Sequence, residues 1–87
     1  MHLNTPSSIL IEVKFIEMHR NYLKSSTLHS AGYDRDHKTL ELKFNSGEIY
    51  QYLNVPHSNY TGLMNATSHG EYFNRYIKEQ FLFIKVI

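Results

Sequence analysis

The sequence predicts an α+β fold: a small antiparallel β-sheet with two short helices packed on one face, preceded by an N-terminal extension. Three observations carry this prediction. Thr39–Phe44 alternates cleanly, with Leu40, Leu42 and Phe44 on one side and Thr39, Glu41 and Lys43 on the other, the pattern of a half-buried strand. Asn45-Ser46-Gly47 then supplies a hairpin turn, with glycine available for positive φ. Beyond Pro56 the apolar period lengthens to that of a helix, with Tyr60, Leu63, Met64 and Thr67 followed by Phe73, Tyr76, Ile77 and Phe81.

In chain order, residues 1–21 form the extension. Met1 to Ser7 is a polar, loose end. Ile9 to Met18 reads two ways. Ile11, Val13 and Phe15 alternate with Glu12 and Lys14 as in a strand, while Ile9, Val13, Ile16 and Tyr22 nearly fit a helix; the early β-branched residues favour the strand. The domain proper spans 22–87. Leu23 to Tyr33 is a predicted strand, and Tyr33 to Lys38 is a polar turn. After Thr39–Phe44, Glu48 to Leu53 returns as its hairpin partner, and Asn54-Val55-Pro56 ends the sheet. Pro56 suits a first helical turn. Gly70 is a candidate C-cap for the first helix. Ser68, with Glu71 three residues on, is a capping box for the second, predicted over Glu71 to Phe81. The apolar tail Leu82 to Ile87 adds a last edge strand.

Eighty-seven residues with 41% hydrophobic content suit one domain with one modest core. No apolar run reaches the roughly 18 residues that span a bilayer, and a basic, apolar, cleavable leader is not expected. With no cysteine, disulfides and thiolate metal sites are excluded, and a reducing cytoplasmic setting is expected. A net charge of +1 is a weak footprint for nucleic acid, although full protonation of six histidines would raise it to +7. His2, His19, His29, His37, His57 and His69 show no metal-ligand spacing, so no metal or other cofactor is predicted. Ser25, Ser26 and His69 are too generic a set to imply nucleophilic catalysis. An enzyme is not predicted.

Tyr50 and Tyr52 are two apart on a strand, so both rings share one face. That face is either a core wall under the helices or an open platform for stacking a flat ligand. Ile49, Gln51 and Leu53 form the opposite face, which is also largely apolar, so both sides of this strand are candidates for burial. Arg75 and Lys78 are three apart, so they share one helical side and could both meet phosphates, although the solvated face of an ordinary helix is the favoured explanation. Lys43, with Lys24 and Lys38, could extend such a patch. Asn74 beside Phe73 is read as structural, bonding to nearby backbone.

Three blocks resemble a known family: Ser25 to Asp34, Gly47 to Pro56, and Ala66 to Ile77. Their order and spacing resemble the KTSC domain, found at the C-terminus of some lysyl-tRNA synthetases and as stand-alone bacterial or phage proteins. Tyr50 and Tyr52 match its central Tyr-x-Tyr, and Gly70, Tyr72, Phe73 and Asn74 match its Gly-x-Tyr-Phe-Asn block. The likeness runs from about Tyr22 to Lys85. Lys85 departs from the family's usual arginine, and residues 1–21 have no counterpart. The resemblance implies RNA binding, a role suggested by the company of the synthetase.

Two function classes follow. One is a noncatalytic module recognising RNA, or single-stranded DNA, through Tyr50, Tyr52, Arg75, Lys78 and Lys43. The other is a protein–protein adaptor or inhibitor, assembling as a homo-oligomer through Ile9, Ile11, Val13 and Phe15. A small nucleotide-like ligand held between aromatics is a third expectation.

Overall fold

The computed structural model describes residues 18–87; the strand or helix expected between Ile9 and Met18 lies, except for Met18 itself, outside the described residues. Five strands form one antiparallel sheet: β1 (Asn21–Tyr22), β2 (Leu28–Asp34), β3 (Thr39–Phe44), β4 (Ile49–Tyr52) and β5 (Phe83–Lys85). Their spatial order is their chain order. Helices α1 (His57–Asn65) and α2 (His69–Tyr76) stand between β4 and β5. This is the α+β architecture that the alternating and helical periods predict.

Local chemistry sets the corners. At the β2–β3 turn, Asp34 Oδ1 accepts from the backbone N–H of Asp36 (3.1 Å) and of His37 (3.3 Å), and Oδ2 lies 2.8 Å from His37 Nδ1. Partial desolvation pulls this carboxyl upward, but the hydrogen bonds from His37 and Asp36 prevail and lower its pKa. The β3–β4 hairpin turns on Gly47, whose φ of +101° favours glycine. Its N–H donates to the Phe44 carbonyl at 2.8 Å.

The single strand expected over Leu23 to Tyr33 is two strands. The Ser25 hydroxyl accepts from the N–H groups of Thr27 and Leu28, both at 3.1 Å. This local bonding diverts the backbone from the ladder. Asn21–Tyr22 consequently folds back onto Ser30–Ala31.

The helices also differ in their ends. Pro56 has ψ 146° and caps α1 from outside, rather than forming its first turn. Ala66 ends α1 in an extended conformation, and Ser68 begins α2 by accepting from the Glu71 N–H at 3.2 Å. Gly70 therefore lies inside α2 and does not terminate α1. The helix stops at Tyr76, because Ile77 turns to φ −125° and the N–H groups of Ile77 and Lys78 both donate to the Phe73 carbonyl. Phe81 lies beyond it.

The register places Leu40 opposite Tyr52 and Leu42 opposite Tyr50. On this front face Leu28, Ala31, Leu40, Leu42 and Tyr52 meet Val55, Leu63, Phe73 and Ile77 from the helical segment, and together they are the hydrophobic core. The back face corrects a second expectation. Glu41, expected in solvent, is 1% exposed, and Gln51 is 0% exposed. Arg20 binds the Glu41 carboxylate through Nη1 and donates from Nε to the Ser30 hydroxyl at 3.1 Å. Gln51 Nε2 donates to Glu41 Oε1 at 2.9 Å. The chain at His19 passes so close to Gly32 that a Cβ there would lie 2.0 Å from the His19 carbonyl oxygen. Part of the predicted extension is thus strapped to the sheet, because a buried carboxylate needs a cation beside it.

Candidate functional site

The Tyr-x-Tyr strand lies on the helix-bearing face, so its rings are not an open platform. Tyr52 is 4% exposed, with its ring centroid 5.8 Å from that of Phe73 and 5.5 Å from that of Phe83. Tyr50 is partly exposed. It meets Phe44 edge-on at 5.7 Å and Phe83 at 5.5 Å. These centroid separations and tilts are those of favourable aromatic pairs.

The five rings do not close over one another. They leave a groove of about 480 Å³, lined by Phe44, Tyr50, Tyr52, Phe73 and Phe83, with Glu48, Asn74, Lys78 and Glu79 among its polar lining residues. That volume falls within the usual range for small-ligand sites, roughly 300–1,000 Å³. The groove exists because α2 stops at Tyr76 and the chain must cross to β5. Phe83 then pairs with Tyr52 and Lys85 with Tyr50, bringing β5 alongside β4.

Burial raises the Tyr52 pKa to about 12, with the neighbouring Tyr50 adding to the shift. Its hydroxyl stays protonated at neutral pH. Among the described residues it makes no hydrogen bond, leaving a donor and an acceptor for a ligand. The polar lining is mixed in sign. Glu48 and Glu79 bring carboxylates and Lys78 an ammonium, while Lys85 lies 3.4 Å from Glu48.

The structure therefore divides the predicted site. Tyr50, Tyr52 and Lys78 line one groove. Arg75 lines a separate hollow of about 180 Å³ with Ser68, Glu71, Tyr72 and Tyr76; the i, i+3 relation with Lys78 fails because the helix ends between them. Lys43 is one residue from Leu42, the partner of Tyr50, so it projects from the opposite face. Asn74, read as a backbone anchor, is an exposed groove residue. Phe44, Phe73, Phe83 and Glu79 escaped the sequence reading as site residues. Phe44 and Phe73 fit apolar stripes, but nothing local aligns Phe83 with Tyr52. Among the described residues, no three His, Asp or Glu side chains gather as a metal site.

The KTSC domain profile matches residues 24–81. The chain belongs to the KTSC domain family. It is 41% identical to a KTSC domain protein from Yersinia pestis of known crystal structure, with a TM-score of 0.76 over 80% of this chain and 99% of that one. A protein of Stutzerimonas stutzeri is 43% identical over 63 residues, covering 72% of this chain and 89% of the relative. A lysine–tRNA ligase of Nostoc punctiforme is 38% identical over 60 residues, covering 69% of this chain but 11% of the ligase. This KTSC domain therefore resembles a small appended part of that enzyme.

Proposed function

We propose that this KTSC domain is a noncatalytic module for single-stranded RNA, in which one base enters the aromatic groove and stacks on Tyr50. The observation that carries this reading is the groove itself: the partly exposed Tyr50 ring and an apolar lining of Phe44, Tyr52, Phe73 and Phe83 in one cavity. Every base has a π-face, and stacking on a protein aromatic contributes roughly 1–3 kcal/mol per base. The likeness to lysine–tRNA ligases supports RNA as the macromolecule, and a cytoplasmic setting accords with it. Among the described residues Lys78 is the cation lining the groove, so few phosphates are neutralised and the salt dependence is shallow.

Fluorescence anisotropy with short labelled RNAs at low salt tests the proposal. Wild type binds, and Tyr50→Ala weakens binding by about tenfold or more while circular dichroism stays unchanged. Absence of binding by folded wild-type protein rejects the reading.

A second reading, a protein-binding or self-associating module, draws on β5. Phe83 and Ile84 on β5, with Leu82 and Ile87 flanking it, are exposed apolar residues at an edge of the sheet, where a partner strand can add. Light scattering over a range of concentrations checks the homo-oligomer form: a constant one-chain mass excludes it.

A further inference from the structure

We infer that the groove selects guanine among the four RNA bases and that Glu79 reads it; this rests on the RNA reading above. Stacking on Tyr50 accepts any base, so selection falls to the polar lining. Three of those groups constrain the choice. Glu48 is already engaged by Lys85 at 3.4 Å. Lys78 and Glu79 are consecutive in the turn after α2, both exposed and both lining the groove. Neither forms a salt bridge among the described residues.

Glu79 thus offers a carboxylate with two acceptor oxygens, beside an ammonium that only donates. Guanine complements that pair. Its pairing edge carries two adjacent donors, N1–H and N2–H, which one carboxylate accepts together, and O6 beside them accepts from Lys78. Uracil sets a single N–H between two carbonyl oxygens, which face a carboxylate unfavourably. Adenine and cytosine each place an unprotonated ring nitrogen next to their amino donor, leaving one bond where guanine makes two. The same carboxylates disfavour a phosphate within the groove, so the base edge, and not the backbone, meets Glu79.

The test uses a short labelled oligouridine carrying one central residue, guanosine, inosine, adenosine or uridine, titrated with the full chain at low salt. Inosine differs from guanosine only by the missing amino group. Guanosine binds about tenfold tighter than inosine or uridine, as a bidentate contact to a base edge does. Glu79→Gln, an exposed and conservative change, abolishes that preference, so that the guanosine, inosine and uridine strands bind the variant within about twofold of one another. Equal affinity for all four strands overturns this inference while the RNA reading stands. Failure of the folded protein to bind any strand overturns both. A preference for guanosine that survives Glu79→Gln removes Glu79 from the role.

Discussion

The two faces of this sheet solve burial in opposite ways. The front face is rings and aliphatic side chains under two helices, and it leaves a groove. The back face holds a carboxylate, an amide, a hydroxyl and a guanidinium, with Glu41 and Gln51 withdrawn from water. An aromatic ring tolerates partial exposure, so the front can stay open at Tyr50 and Phe83 at little cost. A buried charge tolerates no such looseness, because a charge removed from water needs a counter-charge and hydrogen bonds, whereas the neutral Gln51 Oε1 stays without a hydrogen-bond partner among the described residues. The front therefore keeps an open groove, while the back is committed to holding the chain before β1 in place.

That contrast can be broken from the back first. Arg20→Ala leaves the Glu41 carboxylate without its cation, and breaking such a buried pair costs about 3 kcal/mol. Denaturant midpoints check this. Glu41→Gln added to the same chain recovers more than half of the loss, since the uncompensated charge is gone; a loss below about 0.5 kcal/mol for Arg20→Ala would mean that the back face is wet. Next is Gly32→Ala. Its methyl meets the His19 carbonyl oxygen, so the strap must lift, at about 2 kcal/mol by the usual cost of overpacking. A lowered melting temperature reads it.

The smallest effect sharpens the front. The folded-state pKa of Tyr52, about 12, lies above its ordinary 10.0, so the folded protein keeps the phenolic proton longer than the unfolded chain. Stability from this group is intact below pH 10 and is lost as pH rises toward 12. Each pKa unit corresponds to about 1.4 kcal/mol. Tyr52 lines an open groove, which reduces the loss to about 1 kcal/mol. Burial raises the Tyr33 pKa as well, so the informative quantity is the difference between wild type and Tyr52→Phe. The variant is the more stable at pH 11 relative to its stability at pH 8. Superimposable profiles from the two proteins would show that the Tyr52 hydroxyl is solvated.

Much of the fold was legible because its signals are local. Alternation marked Thr39–Phe44, Asn45-Ser46-Gly47 marked the hairpin, and Ser68 with Glu71 marked the start of a helix. The errors arose where local signals competed. A serine hydroxyl at Ser25 took backbone donors that a strand would have used, and Phe81 fitted a helical stripe on a helix that ends at Tyr76. The site was half legible. Tyr50, Tyr52 and Lys78 do meet, whereas Arg75 and Lys43 were placed by spacing alone, and spacing fails once a helix stops or a strand shows its other face.

The sequence by itself determined that Tyr50 and Tyr52 share a face, that a β-hairpin leads into a helical pair, and which family the chain belongs to. These follow from periods of two and 3.6 residues and from blocks in register. Tertiary structure alone decided which face the helices cover, that Glu41 and Gln51 are buried opposite the core, and that Phe83 closes a groove with Tyr52. The reason is physical. Side-chain direction is a property of a few consecutive residues, but burial depends on what crosses above them, and here those covering residues come from distant parts of the chain.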